Sequence, residues 1–233
     1  LMPKFTNLVG IDGCSKGWIL VSGKSHTSLI DKVQFSTSLG FLLSNFEKSI
    51  IVIDMPTILS PTKYSRECDI LAKKFLGTKK QSTIFLTPSR AILECKNYSS
   101  ANELSKKRYG KGLSKQSWNL KEKIIEVISL KRSTNKIIEG HPECSFKMLK
   151  KVGLESSKKT TFGIFERLKL LEEEGLDPIE VGSKLDANIE VKPDDLIDAM
   201  ILFWTARRVY KGCAKSLPSK EPKKLKEEGR IFI

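Results

Sequence analysis

Asn7-Leu8-Val9-Gly10-Ile11-Asp12 is the stretch whose reading decides the fold. It is an apolar run of strand length that ends on an acid. Gly13-Cys14-Ser15-Lys16-Gly17 follows as a short turn, and residues 18–22 are apolar again, so an antiparallel hairpin is expected. A weaker strand is expected over residues 29–35. Residues 37–48 then set Leu39, Leu42, Leu43 and Phe46 at a helical period, with Ser36 or Thr37 as the cap. Ile50-Ile51-Val52-Ile53 is apolar on both faces and stops at Asp54-Met55-Pro56. A strand of that kind, entered from a helix, belongs in a sheet interior, and the chain reads as α/β.

Further along, the pattern predicts helices over residues 65–76, 118–130, 142–152, 162–174 and 193–210. A short strand is expected at residues 136–139. Pro142 suits a first helical turn, and Gly77, Gly175 and Gly212 suit helix stops. The reading is a single domain over residues 1–233, with residues 59–132 as a helical insertion. A Lys-rich tail (residues 215–226) leads to a short terminal strand, Ile231-Phe232-Ile233.

The 233 residues are long enough to bury a core without staples, and 39% hydrophobic with 29% charged residues is a globular composition. Apolar runs such as residues 50–53 and 199–204 fall far short of the ~20 residues a bilayer demands, so no membrane partner is expected. The five cysteines are scattered without a CxxC pair, and the first dozen residues lack a secretory pattern. Reduced thiols and a cytoplasmic location are therefore expected. His26 and His141 are the only histidines, which rules out a three-histidine zinc site and leaves oxygen ligands for any metal.

Lysine and arginine number 41 against 27 acids, a net charge of +14. The excess is uneven: residues 172–198 hold ten acids and two bases, while residues 106–123 hold seven bases and one acid. A basic surface favours a polyanion, although a basic run is as often a solvated helix face. Tyr109 and Trp118 lie in that run and suit base stacking or, more commonly, core anchoring.

The acids carry the chemistry. If the strands ending at Asp12 and Asp54 are parallel neighbours, they lie ~4.8 Å apart and deliver both carboxylates to one edge, where ligands of open α/β sheets bind. Either acid alone is better read as a turn or strand stop, but the pair together points to a site that a divalent cation would relieve of repulsion. Asp195 and Asp198 share a helix face beside the apolar positions Leu196, Met200 and Phe203. Acids in a first helical turn complement the helix dipole, which accounts for Asp194 and Asp195 better than for Asp198. Glu139 is a fourth candidate, with His141 and Glu143 close by.

Val9-Gly10-Ile11-Asp12-Gly13-Cys14 with Lys16-Gly17-Trp18 resembles the opening of the DUF429 family, described as predicted ribonuclease-H-like nucleases. The likeness continues through Ile53-Asp54-Met55-Pro56, Arg66-Glu67-Cys68-Asp69 and Gly112-Leu113-Ser114-Lys115-Gln116. It runs on through Glu139-Gly140-His141-Pro142-Glu143 with Ser145-Phe146 and Ser157-Lys158-Lys159-Thr160. It closes on Asp195-Leu196-Ile197-Asp198-Ala199 and Trp204-Thr205-Ala206-Arg207. The resemblance implies a ribonuclease-H-like mixed five-stranded sheet flanked by helices, with the helical insertion after the fourth strand. It sets Asp12 beside Asp54, faced by Asp195 or Asp198 from the last helix. The Asp195-x-x-Asp198-Ala199 pattern is similar to the closing motif of Holliday-junction resolvases. Ile128 stands where relatives are expected to carry an acid.

The leading expectation is a metal-dependent nuclease. Asp12, Asp54, Asp195 and Asp198 would hold two Mg²⁺ or Mn²⁺ ions ~3.5–4 Å apart, and Glu139 would be a further catalytic carboxylate. Lys115, Lys158, Lys159, Arg66 and Arg90 would contact the nucleic acid, DNA or RNA. The alternatives are an ATP-dependent phosphotransferase of the actin or sugar-kinase type, for which Gly10-Ile11-Asp12-Gly13 is a weak signal, and a non-catalytic nucleic-acid-binding module.

Overall fold

The computed structural model describes residues 5–130, 135–220 and 229–233. Two of the sequence readings fall partly elsewhere: the end of the insertion at Arg132, and residues 221–226 of the Lys-rich tail, lie outside the described residues. The chain divides into two compact units, residues 1–55 with 131–215 and 232–233, and residues 56–130 with 216–231.

The first unit is built on the strands the sequence indicated. β1 (Asn7–Cys14) and β2 (Gly17–Lys24) form the expected hairpin, and β3 (Lys32–Ser36) adds antiparallel to β2. Helix α1 (Leu39–Leu43) is shorter than its apolar period suggested. It starts at Ser38, whose hydroxyl accepts from the Phe41 amide, and ends at Ser44. β4 (Ser49–Ile53) then lies parallel to β1, fully buried.

The second unit follows in the chain. It holds α2 (Glu67–Leu76), α3 (Arg90–Leu93), α4 (Tyr98–Tyr109), α5 (Lys115–Asn119) and α6 (Lys121–Ser129). The expected helix over residues 118–130 is thus two helices, joined at Leu120. A small cluster of Ile92, Ala101 and Leu113, flanked by Tyr98, Leu104, Tyr109 and Trp118, gives this unit apolar packing of its own. Arg66 is buried here against Asp69 and the Ile58 carbonyl. That corrects its reading as a nucleic-acid contact, since its guanidinium is spent inside the unit.

The first unit resumes with β5 (Lys136–Gly140), parallel to β4, and α7 (Pro142–Lys150), α8 (Thr161–Glu173), α9 (Pro178–Ser183) and α10 (Pro193–Tyr210). β6 (Ser216–Leu217) and β7 (Ile231–Phe232) complete a mixed seven-stranded sheet of order β3-β2-β1-β4-β5-β7-β6. The expected count of five strands is corrected to seven. The additions are two-residue pieces, too short to show a period. Beside them Lys215 and Ile233 exchange both backbone hydrogen bonds at 2.9 Å, the signature of an antiparallel pair.

Helix α10 lies on one face of this sheet and supplies much of the main core, with Leu8, Val21, Ile50 and Val52 from the strands and Ala199, Leu202 and Phe203 from the helix. Gly10 sets how closely it lies. A Cβ there would come within 2.2 Å of the Ala199 carbonyl oxygen and 2.3 Å of the Phe203 nitrogen, so helix backbone rests directly on β1. Among the described residues no helix is long and apolar enough to cross a membrane.

Candidate active site

The β1–β4 ladder sets Ile11 opposite Ile53 and continues one step further, the Asp54 amide donating to the Ile11 carbonyl at 3.1 Å. Asp12 and Asp54 therefore leave the carboxyl ends of adjacent parallel strands as neighbours on one face. It is the face of Gly10, against which α10 is packed. Because α10 starts at Pro193, Asp194 and Asp195 fall in its first turn, where the helix dipole favours acids, and Asp198 follows one turn on. Asp12 is 6% exposed and Asp198 2%, whereas Asp195 is half-buried. The three acids Asp12, Asp54 and Asp198 thus come together as the sequence indicated, with Asp195 at the rim.

Glu139 does not join them. The β4–β5 ladder pairs it with Ile53, one residue short of Asp54, so the pleat turns it to the opposite face of the sheet. This corrects its placing as a fourth carboxylate of the cluster. Glu143, in the first turn of α7, is the acid whose charge reaches Asp54 and Asp198. It is neutralised by the fully buried Arg167, Nη2 to Oε1 at 2.5 Å. Arg167 also donates to the Gly163 carbonyl at 2.8 Å and lies over the Phe146 ring. His141 caps α7, its Nδ1 accepting from the Cys144 amide at 3.4 Å, so it serves the helix start.

Lys158 is the residue whose place the sequence under-read. It comes from the loop before α8, and its ammonium donates to Asp198 Oδ2 and stands 3.7 Å from Asp194 Oδ2. Burial opposes its charge, but Asp198, Asp12 and Asp54 hold its pKa above the ordinary lysine value. The expected contact with a phosphate backbone is therefore first a contact with carboxylates. A lysine in a loop gives no periodic signal of this, because the pairing depends on where α10 lands. Of the other expected nucleic-acid contacts, Lys159, Lys115 and Arg90 are exposed.

Burial is the main cause of the unusual acidities here. It pushes the Asp54 and Asp198 carboxyls up to about 7, with Lys158 pulling both back and Glu143 pushing further. Asp12 is held well above the usual carboxylate range by burial and then by Asp198 and Asp54. Asp195 is raised by its partial burial and by Asp194. Cys144 is kept as a thiol, first by burial and then by the charges of Asp54 and Glu143, which makes it a poor nucleophile.

Among the described residues no group of three or more His, Cys, Asp or Glu side chains forms a ready-made metal centre. The donor chemistry nevertheless fits a hard cation. Asp198 Oδ1 is buried with no hydrogen-bond partner, beside the buried Asp12, the half-buried Asp54 and a single lysine. An orphaned carboxylate oxygen in such a place costs about 1–3 kcal/mol or more, and an oxygen-seeking divalent ion would satisfy it. The family described as "Protein of unknown function (DUF429)" matches residues 10–223. No curated protein and no solved structure matches the chain.

Proposed function

The chain belongs to the DUF429 family, and from the geometry of its acids we propose that it is a metal-dependent nuclease with a ribonuclease-H-like sheet. The observation that carries this reading is the unpartnered Asp198 Oδ1, buried beside Asp12 and Asp54 at the carboxyl ends of two parallel strands. Stability alone gives no reason to gather three mutually repelling carboxyls, two of them buried, against one lysine. A site that recruits cations does.

Asp12, Asp54 and Asp198 would hold Mg²⁺ or Mn²⁺, with Asp195 adding charge at the rim. A bound ion of this kind lowers the pKa of water and offsets charge on a phosphodiester. Lys158 keeps a fixed positive charge among the acids and is the side chain best placed to meet a scissile phosphate. Arg167 pairs with Glu143 and holds it in place, so that Glu143 shapes the field of Asp54 and Asp198 without competing for substrate. Lys159 lies exposed beside Lys158 and suits the phosphates on either side.

Cleavage of labelled single- and double-stranded DNA and RNA, in Mg²⁺, Mn²⁺ or EDTA, tests the activity. Wild-type protein is expected to cut at least one polymer only with metal. Asp12→Asn should lose at least about a hundredfold in rate while melting as a folded protein. Equal cutting by Asp12→Asn, or cutting in EDTA, would defeat the mechanism.

A further inference from the structure

The second unit holds a feature that the carboxylate site does not use. Between residues 56 and 130 there are fifteen lysines and arginines against six acids, and the same segment lines a partly open cavity of about 230 Å³. Pockets for drug-sized ligands run to roughly 300–1,000 Å³, so this one suits a single ring system.

Its walls are of two kinds. Tyr64 and Tyr109 meet edge to face at 5.6 Å between ring centroids, and aliphatic side chains such as Ile92 close the apolar side. The polar side carries Ser89, Gln116 and Lys73. Ser89 is 1% exposed and accepts the Tyr109 hydroxyl at 2.8 Å, which leaves its own proton uncommitted. The Gln116 amide makes no hydrogen bond within the described residues, so the lining holds both an uncommitted donor and an uncommitted acceptor. Lys73 has no anionic partner among them. Lys106, Lys107 and Arg108 end α4 just before the cavity residues Tyr109 and Leu113, and Lys111 lies over the Tyr64 ring at 5.6 Å.

An aromatic wall, an uncommitted donor and acceptor, and an unpaired cation within a basic unit are the complement of one kind of ligand. It is a flat heteroaromatic ring with a hydrogen-bonding edge and a phosphate attached. We propose that this cavity is a nucleotide pocket that seats one base, with Gln116 and Ser89 bonding its edge and Lys73 meeting its phosphate. It stands independently of the nuclease reading, because no residue of the carboxylate cluster takes part. A base within a single strand and a free mononucleotide offer the same chemistry, and the test separates them.

The test is fluorescence anisotropy with a labelled twelve-residue oligodeoxyadenylate in EDTA, where metal-dependent cutting cannot intervene, with AMP as competitor. Gln116 is exposed and Lys73 half-buried, so Gln116→Ala and Lys73→Met should melt like the wild type. Each is expected to weaken binding about fivefold, the effect of one lost hydrogen bond or charge contact. Lys96→Met, an exposed lysine that does not line the cavity, should change it less than twofold. Competition by AMP, lost in Gln116→Ala, would assign the pocket to free nucleotides. Strand binding that AMP does not displace, but that falls in both cavity variants, would assign it to a base within a strand. The proposal is overturned if neither probe binds. It is equally overturned if Gln116→Ala is silent and Lys73→Met weakens binding no more than Lys96→Met.

Discussion

A Cβ on Gly10 would overlap two backbone atoms of α10, and neither the Ala199 oxygen nor the Phe203 nitrogen can turn aside as a side chain can. Gly10→Ala is therefore expected to cost at least ~3 kcal/mol, read as a lower urea midpoint, because the helix must lift from β1. An unchanged midpoint would mean that α10 is not seated on Gly10. The clustered acids make the opposite prediction. Asp54 has an ordinary pKa of 3.8 and a folded value of about 7, so the folded chain binds this proton more tightly. Its contribution is fully present below pH 4 and is lost as pH rises to about 7. In EDTA, Asp54→Asn should melt higher than wild type at pH 8 and show a shallower fall in Tm between pH 4 and 7. A lower Tm at pH 8 would show that the ionised carboxylate is stabilising. Asp12 and Asp54 were legible as residues because an acid ending an apolar strand breaks its pattern. Lys158 was legible only as a basic residue, since its partners lie 36 and 40 positions away.

At the scale of elements, strands and long helices were the readable part. β1, β2, β4 and β5 fall where apolar runs fall, and α10 runs from Pro193 to Tyr210 as its cap signals indicated. The misreadings have local causes. α1 spans a single turn although its apolar spacing continues to Phe46, and the run over residues 118–130 is divided because the Ser114 hydroxyl caps an earlier start at Lys115. Glu139 shows the limit of pattern reading: its residue type is right for the site, but strand register decides its face, and register is set by the neighbouring strand. The Glu143–Arg167 pair joins α7 to α8 and has no signature in either helix alone. Arg167→Met would leave Glu143 buried without its guanidinium, at a cost of ~3–5 kcal/mol in a chemical melt. Adding Glu143→Leu should recover most of that loss, whereas no recovery would mean that Arg167 acts through its carbonyl bonds and Phe146 instead.

For the molecule as a whole, the charge excess and the carboxylate cluster point the same way, although they arise separately. A chain of net charge +14 attracts polyanions at long range, and a small buried acidic centre can accept them only once its own negative charge is offset. The α/β class was readable from composition and apolar pattern, whereas the parallel pairing of β4 with β1 was a condition there and an implication of the family resemblance. The seven-strand count was not, because two-residue strands are fixed by tertiary pairing alone. The central claim is that Asp12, Asp54 and Asp198 are gathered together to bind a divalent cation. It is tested most directly by calorimetric titration of Mn²⁺ into the wild-type protein and Asp198→Asn at pH 8, where the acids are most ionised. The account predicts saturable binding to the wild type, with a rise in Tm, and at least tenfold weaker binding to the variant. Absence of Mn²⁺ binding to the wild type, or equal binding to both proteins, would contradict it.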